Sequence, residues 1–165
     1  MRTTSIALGL SALAAVAASA ASASGTTFKS NVCGLVPPAR VATIHGISSN
    51  CTNAAPTQGP GAKLYTGNWP GKTPTSPQLQ LTIAAYTDKG ALQLAKHNLK
   101  QGLPGTPHRV TGIGTAAYAG SGANATGVHF AVGKYVAYLT LTGATGKPAT
   151  AEAEILAKSI VQRLR

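Results

Sequence analysis

The sequence predicts an α+β fold: one antiparallel sheet of about five strands covered by two main helices plus a short N-terminal helix. Three observations lead there. In residues 78–86, QLQLTIAAY, Leu79, Leu81, Ile83 and Ala85 alternate with Gln78, Gln80, Thr82 and Ala84, the period of a strand with one buried face. TGVHFAV and KYVAYLTLTG are separated by Gly133-Lys134, and Gly at the first central position suits a type II′ hairpin turn. Two stretches carry apolar residues at helical spacing, and strands in antiparallel-friendly pairs with helices between or after them make one sheet covered by helices.

Taken in order, the chain opens with Arg2, an apolar run from Ile6 to Ala18 and the small-x-small sites Ala18-Ser19-Ala20 and Ala21-Ser22-Ala23, the three parts of a secretory signal. The run is shorter than the ~20 apolar residues that span a bilayer. We therefore expect residues 1–23 to be a cleaved signal, 24–31 a flexible mature N-terminus, and 32–165 a single domain with no transmembrane segment. Pro37-Pro38 opens a short helix through Ile44 that Gly46 ends. Ala62 to Thr66 forms a strand, and residues 67–77, GNWPGKTPTSP, form a long loop holding Trp69. Thr87 or Asp88 caps a helix through about Gln101, with Leu92, Ala95 and Leu99 on one side. A short HRV strand at 108–110 precedes the hairpin. Thr150 then caps a helix to Leu164, with Ala153, Leu156, Ala157, Ile160, Val161 and Leu164 on its apolar face and Glu152 and Glu154 in its first turns.

Export places two cysteines in an oxidising compartment, so Cys33 and Cys51 are expected to pair. A metal site from Cys33, His45 and Cys51 lacks the paired spacings of zinc ligands, and neither a metal nor a cofactor is expected. Such a bridge around a small loop stabilises by roughly 3 kcal/mol.

The chain carries 14 Lys and Arg against 3 Asp and Glu; loss of Arg2 leaves 13 against 3, a net charge of +10. That imbalance favours anionic partners with salt-dependent attraction: an anionic cell-envelope polymer, or another secreted protein. Nucleic acid is disfavoured, because aromatic residues are sparse and the cations are scattered along the chain. The candidate ligand contacts are Lys89, Lys96 and Lys100, spaced at i, i+7 and i+11 on the side of their helix away from Leu92, and Trp69 in its loop; a solvated helix face and a cover for the core edge are the competing readings.

Catalytic motifs fail when tested. Gly112-x-Gly114-x-x-Ala117 matches a dinucleotide fingerprint, but no acid occurs between Asp88 and Glu152, so it reads as a glycine-dependent turn. Residues 143–147, GATGK, lack both the earlier Gly and the following hydroxyl of a phosphate loop. Three carboxylates cannot readily supply an acid pair, and no Gly-x-Ser-x-Gly or His-Glu-x-x-His occurs. His129 is read as facing outward from its strand. The domain is therefore expected to be a non-enzymatic binding module without catalytic residues; a secreted hydrolase using a His and a Ser or Thr hydroxyl is the alternative.

The order of motifs resembles a family of actinobacterial secreted proteins and lipoproteins of unknown function, similar to extracellular sensor domains of receptor kinases. The likeness rests on Cys33-Gly34-Leu35-Val36, then Gly46 and Cys51, then GIGTAAYAG at 112–120, the hairpin at 128–143 and the closing helix at 151–164. Relatives of that kind are often lipid-anchored, whereas Ser30-Asn31-Val32 before Cys33 is no lipobox, which implies release from the cell. Where they commonly carry an acid after the second turn glycine, this chain has Thr115. The resemblance implies no catalytic residues.

Overall fold

The computed structural model describes residues 28–165; the expected signal, 1–23, lies outside the described residues. Among the described residues, one antiparallel sheet of eight strands is flanked by three α-helices. The strands are β1 (Thr52–Asn53), β2 (Thr57–Gly59), β3 (Ala62–Trp69), β4 (Gln78–Tyr86), β5 (His108–Arg109), β6 (Ala116–Ser121), β7 (Ala125–Val132) and β8 (Tyr135–Thr142). Their spatial order is β1-β3-β4-β8-β7-β6-β5, with β2 also paired to β3. The helices are α1 (Pro38–Val41), α2 (Lys89–His97) and α3 (Gly146–Leu164). None is long and apolar enough to cross a membrane.

The α+β class and the antiparallel sheet stand, but eight strands replace the expected five or so. The additions are mostly short edge pieces. β1 and β2 pair with opposite halves of β3, Thr52 with Asn68 and Thr57 with Leu64, and β5 adds two residues to β6. A two-residue strand has no periodicity for a sequence to display; its partner's register creates it.

β4 supplies the pattern on which the rest is built. Leu79, Leu81 and Ile83 point to one face, where Phe130 of β7 and Leu139 and Leu141 of β8 join them. α3 covers this face with Leu156, Ile160 and Leu164, and the N-terminal segment covers the remainder with Val32, Val36, Val41 and Ile44. Burying each large aliphatic side chain contributes roughly 1.5–3 kcal/mol, so this cluster dominates stability. On the opposite face a smaller cluster of Ala62, Ala84, Ala131 and Val136 receives Leu99, beyond the end of α2. No residue of α2 itself is buried.

Several boundaries differ from expectation. β3 runs on to Trp69, so residues 67–69 are strand rather than loop: Gly67 pairs with Leu81 and Trp69 with Leu79. α1 stops at Val41 instead of Ile44. α3 starts at Gly146 with Thr145 at its N-cap, so no acidic residue lies in its first turn, and Glu152 and Glu154 sit deeper in the helix. Pro148 fits this earlier start, because a first-turn position has no intrahelical N–H bond to lose. The hairpin is as expected: Val132 pairs with Tyr135, and Gly133 has φ +55° while Lys134 stays negative.

The disulfide is present, joining Cys33 to Cys51 with Cα atoms 5.7 Å apart. It ties a 3-10 turn (Cys33–Leu35) to the start of β1 and encloses α1. Arg163 Nη1 donates to the Gly34 carbonyl at 3.0 Å, fastening the last turn of α3 to the same lobe. Within the segment expected to be flexible, Phe28 packs edge-on against Tyr65 and Tyr135, with ring centroids 5.2 and 5.7 Å away.

Candidate functional site

The cationic candidates lie on the α2 face of the sheet. Asp88 accepts from the Ala91 N–H, which starts α2, and Lys89 is its first residue. The helix ends at His97, so Lys89 and Lys96 belong to it but Lys100 does not; the expected line of three lysines along one helix is broken. The break has a physical cause. Leu99 drops into the smaller core cluster, fully buried, and His129 Nδ1 of β7 lies 2.9 Å from the Leu99 carbonyl, drawing that turn onto the sheet. Gly102, at φ +76°, completes the turn.

His129 therefore does not face outward into solvent. It is 6% exposed, its ring meets Tyr138 edge-on with centroids 4.9 Å apart, and desolvation holds its pKa below the usual imidazole value despite the backbone bond. A carbonyl partner requires Nδ1 to carry the proton. The same burial, reinforced by its neighbour Tyr86, pushes the Tyr138 phenol up to about 12.

The consequence is a fixed cationic edge. Lys100 Nζ sits 5.0 Å from the centre of the Tyr118 ring on β6, and Arg109 of β5 is the cross-strand partner of Tyr118, hence on the same face. Lys100 and Arg109 are exposed, and Tyr118 is half-buried. Among the described residues no Lys or Arg lies within 4.0 Å of a carboxylate; the sole such contact is His108 Nε2 to Glu154 Oε1 at 4.0 Å. Two unpaired cations on the same face as an aromatic ring, one over the ring and one on the neighbouring strand, can hold a phosphate, sulfate or carboxylate group by charge, and a flat or apolar part of the ligand beside the ring. Sequence reasoning misses Arg109 and Tyr118. A signal exists in principle, since His108-Arg109 and Ala116–Ala119 both read as extended, but the register pairing them is a tertiary fact.

Trp69 is not part of this cluster. It is 2% exposed and belongs to the larger core on the opposite face, so it covers the core edge. The residue also borders a separate groove at the β1-β3-β4-β8 end of the sheet.

A cleft of about 580 Å³ lies between the start of α3 and β5-β6 and holds His108, Glu154, Ser121, Lys147 and Thr150. Ser121 Oγ there accepts from the Gly146 N–H at 2.8 Å and lies 2.9 Å from Thr126 Oγ1. Among the described residues no imidazole is hydrogen-bonded to a Ser or Thr hydroxyl, the pairing a hydrolase of the expected kind would need, and no group of three His, Cys, Asp or Glu side chains could hold a metal ion.

The Gly112/Gly114 segment is a turn. Both glycines have positive φ, and a Cβ on Gly114 would lie 2.1 Å from the Ala131 carbonyl oxygen, so the backbone packs against β7 and leaves no cradle for a pyrophosphate. Comparison with known proteins finds no matching family model, curated protein or solved structure.

Proposed function

We propose that this chain is an exported, non-enzymatic domain that binds an anionic polymer, or an acidic protein surface, at or beyond the cell envelope. The observation that carries this reading is the Lys100–Tyr118–Arg109 edge, two cations without carboxylate partners, Lys100 carried on the turn that the His129–Leu99 contact draws to the sheet and Arg109 placed by the β5–β6 pairing, on a chain with 14 Lys and Arg against 3 Asp and Glu. The disulfide and the signal-like N-terminus support export. The motif resemblance to secreted and sensor-type extracellular domains supports the same placement.

Binding to polyglycerol phosphate, anionic vesicles and single-stranded DNA, each titrated with salt, tests it. We expect tight binding of the phosphate polymer at low salt, falling steeply as salt rises. The double variant Lys100→Gln/Arg109→Gln should weaken it about tenfold, in keeping with two modest exposed charge contacts. Failure of all three ligands to bind at low salt would sink the electrostatic reading. Preference for DNA over the polymer would redirect it.

A further inference from the structure

A second surface on the same face of the sheet has the opposite character. The register places Thr52, Asn68, Gln80 and Thr140 side by side across β1, β3, β4 and β8, with Gln78 opposite Thr142 in the next row. Rows of this kind repeat at about 4.8 Å across strands and about 7 Å along them, so the two rows form a flat polar grid. It lines a groove of about 290 Å³. In a chain with 14 Lys and Arg, none of these six side chains is charged.

Thr is a good strand former, and a solvated sheet face needs no explanation by itself. The amides do. Asn is depleted in strands, yet Asn68 sits within β3, and Gln80 Nε2 donates to its Oδ1 at 2.9 Å. That bond orients both amides and leaves the Gln80 carbonyl oxygen as acceptor and the Asn68 amide nitrogen as donor. Among the described residues Thr52, Gln78, Thr140 and Thr142 have no side-chain hydrogen bond. The grid thus offers unspent donors and acceptors in nearly equal supply.

This composition selects a ligand class. An anion or cation would find no opposing charge, and an apolar ligand would strand six polar groups away from water. A neutral polyhydroxyl chain meets both requirements, because each hydroxyl donates and accepts. We infer that the β1-β3-β4-β8 groove is a binding site for a neutral oligosaccharide, distinct from the cationic edge. With the Trp69 side chain buried in the core, recognition runs through the amides and hydroxyls rather than through stacking.

The test uses the full domain with cellohexaose and hexa-N-acetylchitohexaose as probes and polyglycerol phosphate as the anionic comparator, followed by backbone amide chemical shifts. At least one neutral probe should move Asn68, Gln80 and Thr140, with an affinity unchanged by salt. Asn68→Ala/Gln80→Ala should weaken it tenfold or more, while Lys100→Gln/Arg109→Gln leaves it alone. Thr140→Val keeps the strand-forming shape and is held to the same criterion should the double variant not fold. The site is overturned if neither probe shifts these amides, if binding disappears with salt, or if folded groove variants bind like the parent.

Discussion

His129 shows how one residue links the core to the surface. Alternation along β7 puts it opposite Phe130, and that alternation holds; what fails is the assumption that the opposite side is water. The side is occupied by Leu99, thirty positions away in sequence, whose carbonyl the ring contacts. Because burial lowers the folded-state pKa below 6.5, the unfolded chain takes up the proton more readily than the native one. Stability contributed by the neutral ring is thus complete above pH 6.5 and is lost as pH falls through the lowered value. Melting temperatures measured on acidification should decline more shallowly in His129→Gln, whose amide can still donate to Leu99 but does not titrate. Parallel curves for the two proteins would remove His129 as the source. The same experiment bears on Lys100, since loosening the Leu99 turn frees the lysine from Tyr118.

Among elements, long strands with clear alternation are legible in the sequence and short or composite ones are not. β4, β7, β8 and the Gly133-Lys134 turn follow from local pattern. The extension of β3 through Gly67, Asn68 and Trp69 is hidden by glycine, asparagine and the prolines that follow, all turn-formers, whereas pairing with Leu79 and Leu81 of β4 overrides their propensity. The start of α3 is obscured because Thr150 followed by Ala and Glu imitates a cap. The cationic edge is half legible: the lysines can be named, but their aromatic platform depends on how β5 pairs with β6. Gly114 and Gly133 make a controlled comparison of two turns with nearly equal φ, +57° and +55°. Alanine at Gly133 meets nothing within 4 Å, so it should cost only the left-handed backbone strain, about 1–2 kcal/mol. Alanine at Gly114 meets the Ala131 carbonyl as well, and should cost ~2 kcal/mol more in denaturant unfolding. Equal losses would mean that β7 yields to the added methyl.

At the scale of the molecule, the disulfide lobe and α3 close one face of the sheet together. Replacing both Cys33 and Cys51 by Ser should remove about 3 kcal/mol and lower the melting temperature by on the order of 10 °C. An unchanged melting temperature would assign the lobe's stability to Val32, Leu35 and Val36 and to the Arg163–Gly34 bond instead. The two ends of the sheet have a different significance. Along β3, the pairing by β1 and β2 is interrupted between Asn53 and Thr57, where Pro56 offers no N–H, and β6 is fronted by only the two residues of β5, just after Pro107. Among the described residues, neither margin presents a long, straight ladder of free peptide groups to another copy. A second sheet added edge to edge would therefore gain only short, broken runs of backbone hydrogen bonds, which weighs against growth into fibres.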